Sequence, residues 1–134
     1  MPDNVLIPVS VGELFDKISI LEIKAERIRD HAKLQNIELE LRLLREVAAS
    51  VPQADPAFSP LRARLRTVNE AIWDGEERIR CFEKQASYGP EFVTVLRTVH
   101  HDNDRRAEIK RRLNLLAGSV LVEEKSFALP EGDG

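Results

Sequence analysis

Asn103, Lys110 and Asn114 lie seven and four residues apart, a spacing that brings all three to one side of a helix. The same segment, Pro90 to Gly118, carries the apolar residues Phe92, Leu96, Val99, Ala107 and Ala117 at separations compatible with one helical face. At roughly 100° per residue, the asparagines and the lysine fall within about 40° of Leu96, on the side expected to point inward. A buried amide without partners costs on the order of 1–3 kcal/mol, and a charge costs more. These side chains therefore need polar neighbours, water or a ligand. The chemistry open to them is binding: Lys110 holds an anion, and Asn103 and Asn114 orient it.

The preceding helical segment offers a complement. Glu76 and Glu83 fall within about 20° of Leu65 on its apolar stripe, with Asn69 at the margin. A reversal at Tyr88-Gly89-Pro90 sets Glu76 opposite Asn103 and Asn69 opposite Lys110. Glu22 comes in from the edge of the first helix's stripe. The candidate ligand-binding set is thus Glu22, Asn69, Glu76, Asn103, Lys110 and Asn114, with Glu76 the base or metal ligand in an enzymatic version. Two explanations stay open. One is a buried hydrogen-bonded network that fixes helix register, which an acid facing the seam favours. The other is a pocket for a small polar ligand.

Other chemistries find less support. His100 and Asp104, at i and i+4, are two metal ligands where a site needs more, so no metal is assigned. The acids Glu22 and Glu26, and Glu76-Glu77, are of the kind used by all-helical nucleotide pyrophosphatases, but the full set is not completed. A chorismate-mutase-like pocket needs several inward arginines, and only Arg29 is near the right phase. Cys81, the single cysteine, has no histidine nearby in sequence and reads as a buried, inert thiol that excludes an internal disulfide. Trp73 is either packing or a stacking platform. No glycine-rich phosphate loop or nucleophile-elbow motif occurs, so no cofactor is assigned and no catalytic residue is identified.

Four helices must position these residues. Ser10-Val-Gly-Glu13 is a capping box opening the first, with its stripe at Leu14, Ile18, Leu21, Ala25 and Ile28. Ile20 and Ile23 project from nearly the opposite side, so this helix is sandwiched or provides a homodimer interface. After a change of phase between Asp30 and Asn36, Leu34, Ile37, Leu41, Leu44 and Ala48 form a second stripe. Residues 50–59, with Pro52 and Pro56, read as a loop. Ser59-Pro60 reads as the start of a third helix ending near Ser87, and Gly118 as the stop of the fourth. Residues 4–9 and Val120-Leu121-Val122 read as short extended segments that pair. The fold class is mainly α: an antiparallel four-helix bundle-like assembly with a minor two-strand pairing of its terminal segments. Residues 1–128 form a single helical domain, and 129–134 a flexible C-terminal tail.

Composition agrees with a folded helical protein: among 134 residues, 43% are apolar and 32% charged, with only 6 glycines. Twenty basic residues against 23 acidic ones give a net charge of −3, and the densest basic run, 105–112, includes Glu108. A nucleic-acid role is therefore disfavoured. No stretch approaches the roughly 18 apolar residues of a membrane span, and no leader is visible, so the expected location is the cytoplasm.

Four segments carry a resemblance: SVGELFDKISILEIK (10–24), VNEAIW (68–73), NDRRAEIK (103–110) with Asn114, and VEEKSF (122–127). Together they resemble a family of small bacterial and phage helical proteins known only as a domain of unknown function. The resemblance covers nearly the whole chain. It implies occasional association with glycosyltransferase-like or tetratricopeptide-repeat modules, hence at most a link to surface-polysaccharide or phage-associated processes. It supplies no activity. It marks Asp16, Lys17, Glu22, Lys24, Asn69, Asn103, Asp104, Lys110, Asn114 and Lys125 as signature polar positions. Gly75 stands where a larger apolar residue is expected. The combined expectation is a non-catalytic accessory or interaction protein, homodimeric and with a possible protein partner. The alternative is a binder or enzyme for an anionic, nucleotide or sugar-nucleotide ligand.

Overall fold

Ser10 opens the first helix as its N-cap, in extended conformation, with its Oγ accepting the Glu13 N–H at 3.0 Å. In this computed structural model, which describes residues 4–124, that helix is α1 (Val11–Arg27). Only half of the expected capping box forms, because the Glu13 side chain turns away to meet Lys110. α1 ends at Arg27, where Ile28 turns extended, and Asp30 caps α2 (His31–Ala48) by accepting the Lys33 N–H at 3.0 Å. The change of phase in the sequence is therefore a true break.

The third helix, α3 (Phe58–Lys84), begins before the expected Ser59-Pro60. Asp55 holds the entry by accepting the Ala57 N–H at 2.8 Å, and Pro60 still lies in the first turn, where its missing N–H costs nothing. Phe58 explains the early start. It is 1% exposed and stands edge-on to Phe15, with ring centroids 5.2 Å apart. α4 (Pro90–Ala117) starts on its proline and stops at Gly118, whose φ of 66° lets the Ser119 N–H reach back to the Asn114 carbonyl at 2.8 Å.

α3 and α4 form a long antiparallel hairpin, and α1 lies centrally, touching each of the other three helices. Phe15, Ile18, Leu65, Ile109 and Leu113 are each at most 2% exposed. Burying a side chain of that size contributes about 1.5–3 kcal/mol. Two glycines set how closely α4 is approached. A Cβ on Gly12 would lie 2.5 Å from the Lys110 carbonyl oxygen, and one on Gly75 would lie 2.5 Å from Cγ2 of Val99. Gly75 thus serves the contact between α3 and α4.

Among the described residues no strand forms, so the expected two-strand closure is corrected. Pro8 lacks an N–H, and Val5, Leu6 and Ile7 are 82%, 87% and 69% exposed. The terminal segments do meet, but through side chains at the start of α1. Ser119 Oγ accepts the Val11 N–H at 3.2 Å, and Ser10 donates to the carboxylate of Glu123. The free N–H groups of a helix start are stronger claimants for the C-terminal segment than a ladder interrupted by proline. The boundary at 128 and the tail 129–134 lie outside the described residues. Ile20 and Ile23 face the space between α1, α3 and α4. Ile23 is 1% exposed, and Ile20 lies half-buried between α1 and α3. Exposed apolar side chains on the helices are Leu39, Leu43 and Val47 of α2 and Val93 and Leu115 of α4.

Candidate functional site

α4 turns a different line inward from the expected one. Val95, Val99, Asp102, Ile109 and Leu113 are its buried residues, together with Asn114, whereas Phe92, Leu96 and Ala107 are only half-buried. Asn103, Lys110 and Asn114 therefore flank the apolar line, on the side that α1 crosses. Asn114, 1% exposed, accepts the Gly12 N–H through Oδ1 at 2.6 Å and donates through Nδ2 to Glu123 at 3.3 Å. Burial opposes the charge on Glu123. The Ser10 hydroxyl, its own backbone N–H, Lys110 and Asn114 outweigh burial and hold its carboxyl below the usual carboxylate range.

Two carboxylates of α1 meet Lys110. Its Nζ lies 2.5 Å from Glu13 Oε2 and 3.7 Å from Asp16 Oδ2, with 17% of the side chain exposed. Asp16 continues the network across the bundle: its Oδ1 accepts from Asn69 Nδ2 at 2.8 Å, and Ser19 Oγ accepts from the same nitrogen at 3.0 Å. On its other side, the Asn69 carbonyl accepts from Arg106 Nη1 at 3.2 Å. Arg106 Nη2 in turn donates to Asn103 Oδ1 at 2.6 Å. Asp16, Ser19 and Asn69 are all buried, and each has a partner, as buried polar groups require.

Of the six candidate residues, the structure joins Asn69, Asn103, Lys110 and Asn114 in one polar band and leaves out two. Glu76 is exposed and makes no contact with Asn103 or Lys110, while Glu83 is exposed further along α3. The reason is the turn of the hairpin: α3 stops at Lys84, so residues 85–89 connect the helices and Asn69 comes opposite Arg106 instead of Lys110. Glu22 belongs to a separate cluster, 2.9 Å from Arg45 and 3.7 Å from Arg66. Sequence reasoning missed Glu13, Ser19 and Arg106. Asp16 was marked only by the family resemblance. The available signal was the three-residue spacing of Glu13, Asp16 and Ser19 along α1, between its two apolar sides.

Beside the polar band a groove of about 250 Å³ opens between α1, α3 and α4. Ile20, Ile23 and Ile72 line it, Trp73 stands along it, and Arg106 and Asn69 reach it from the band. The indole Nε1 donates to Glu77 at 2.8 Å, and the Arg27 guanidinium lies 5.9 Å from the ring centroid. Cys81, expected to be buried, is exposed. Among the described residues, no three potential metal ligands cluster. No described helix is long and apolar enough to cross a membrane.

The signature segments lie where this geometry needs them, with the first supplying Gly12, Glu13, Asp16 and Ser19 and the others Asn69, Asn103, Lys110 and Asn114. A family model described as a family of unknown function, DUF6165, matches residues 5–133. The chain belongs to the DUF6165 family. That membership accounts for the resemblance seen in the sequence, and it assigns no activity. No curated protein and no solved structure matches the chain.

Proposed function

We propose that this member of the DUF6165 family is a non-catalytic binding protein whose recognition surface is the groove between α1, α3 and α4. The polar band itself is architecture in this reading. Its lysine is taken by Glu13 and Asp16, and its asparagines by Gly12, Asp16, Ser19, Glu123 and Arg106. The hydroxyl that meets a carboxylate at its edge, Ser10 on Glu123, is also the N-cap of α1, accepting the Glu13 N–H. The observation that carries the proposal is the half-buried Trp73 in one groove with Ile20, Ile23 and Ile72. Ligand sites have this character: apolar walls with a few polar groups at their ends.

A thermal-shift screen of small molecules and peptides on wild type and Trp73→Ala tests the reading. Compounds that use the groove raise the melting temperature of wild type and not of the variant. At a hundredfold excess over Kd, binding stabilises by about 2.7 kcal/mol, which is well resolved. The proposal fails if every stabilising compound acts equally on both proteins, or if the compounds that need Trp73 are chemically converted on incubation.

A further inference from the structure

Arg106 brings to the groove a charge that no carboxylate answers. Its guanidinium is fixed by the carbonyl oxygens of Asn69 and Asn103, both neutral, and no ion pair to it forms among the described residues. Arg27, Arg45, Arg66, Arg105, Arg111 and Arg112 each meet an aspartate or glutamate, and Arg80, the other arginine of the groove, is exposed, whereas Arg106 is half-buried and oriented by two amides. A guanidinium has five N–H donors in a planar fork. Two hydrogen bonds orient it without neutralising it, and the remaining donors suit a bidentate anion.

The walls define what the anion must be attached to. Ile20, Ile23 and Ile72 are aliphatic, and the Trp73 ring is held by its hydrogen bond to Glu77. This favours a flat apolar body stacked beside the indole. The volume of about 250 Å³ lies just under the usual range of roughly 300–1,000 Å³ for drug-sized ligands, so the body is one or two rings. Glu76, Glu77 and the exposed Arg80 line the other end, with Glu76 about 10 Å along α3 from Asn69; there a cation stands beside two acids, whereas Arg106 is met by neutral amides.

We propose that the groove binds a small aromatic anion, with its phosphate or carboxylate on Arg106 and its ring against Ile72 and Trp73. This deepens the binding-protein reading and rests on it. The chain has a single tryptophan, so the indole N–H of Trp73 gives one nitrogen–proton resonance that reports on the groove. Naphthyl phosphate and the uncharged naphthol serve as the probe pair. Naphthyl phosphate should saturate the shift of that resonance at a concentration about tenfold lower than naphthol does, the scale of one charge-assisted hydrogen bond. Arg106→Gln should remove that advantage and leave naphthol unchanged. Ile20→Glu, at a half-buried wall position, places a carboxylate in the groove that weakens both probes but repels only the phosphate, so it too should remove the advantage, which keeps the test decisive if Arg106→Gln fails to fold. Arg64→Gln, away from the groove, should change nothing. Equal saturation by both probes overturns the anion assignment and leaves the groove intact. A preference for the phosphate that survives in every folded groove variant also overturns it. A resonance unmoved by either probe overturns both this inference and the groove reading.

Discussion

Lys110→Met separates a structural band from a ligand site most directly. Methionine keeps most of the aliphatic length and removes the ammonium that sits 2.5 Å from Glu13 and 3.7 Å from Asp16. Breaking a fully buried pair costs about 3–5 kcal/mol, whereas an exposed pair is worth roughly 0–1. The Asp16 side chain is 8% exposed, but it retains the Asn69 amide, and that of Glu13 is 28% exposed and can rehydrate. The expected loss is therefore intermediate, about 2–3 kcal/mol, or a fall of about 8–12 °C in melting temperature for a domain of this size. The assay is thermal and urea unfolding of the two proteins in the absence of ligand. Glu13→Gln should cost less by itself, and the double variant should be more stable than additivity predicts by about 1 kcal/mol, since the charge left behind by one change is removed by the other. A Lys110→Met protein that melts within about 2 °C of wild type would refute the structural account of the band.

Gly12→Ala should destabilise by about 3 kcal/mol, because the added carbon meets the rigid Lys110 carbonyl and opens the hydrogen bond from Gly12 to Asn114. Gly75→Ala meets Cγ2 of the buried Val99, a β-branched side chain with little freedom to turn away, and a helix-propensity gain of about 1 kcal/mol offsets part of the overpacking, so its net loss should be about 1–2 kcal/mol, smaller than at Gly12, where backbone is met. Urea titrations that rank the two variants the other way contradict the helix contacts described. For Glu123 the sign follows from a carboxyl held below its usual range. Its contacts stabilise the fold above the unfolded carboxylate pKa, and that contribution disappears as pH falls through the lower folded value. Melting curves from neutral to acid pH should thus show wild type above Glu123→Gln by about 2 °C near neutrality, with the gap closing in acid. A gap that widens on acidification would show that the charged form is not the favoured one.

The helices were largely legible because their ends are written in local chemistry. Ser10, Pro90 and Gly118 each act within one turn, and the α2 stripe of Leu34, Ile37, Leu41, Leu44 and Ala48 matches its inward side. The start of α3 was read late because its determinant, burial of Phe58 against Phe15, is tertiary. The register of the hairpin was off by about one turn for a similar reason. Tyr88-Gly89-Pro90 marks where α4 begins, but nothing local says that α3 stops at Lys84. Glu76 was therefore set against Asn103 when its true place is the groove. In α4 the polar and apolar residues form two adjacent lines. A single-face reading merged them, since it could not foresee that α1 covers the second line.

That second line links the architecture to the groove. Asn69 donates toward α1, to Asp16 and Ser19, and accepts from Arg106, so one buried carboxamide ties the Lys110 cluster to the cation in the groove. Had a carboxylate occupied position 69, Arg106 would be neutralised in place and the adjacent Asp16 would face a like charge. A neutral amide avoids both, using its two ends to satisfy an acid on one side and to orient an arginine on the other. The band of polar residues that first suggested a ligand is, on this account, one step removed from it. Its lysine holds the helices together, and its asparagines present Arg106 to the isoleucines and Trp73 beside it.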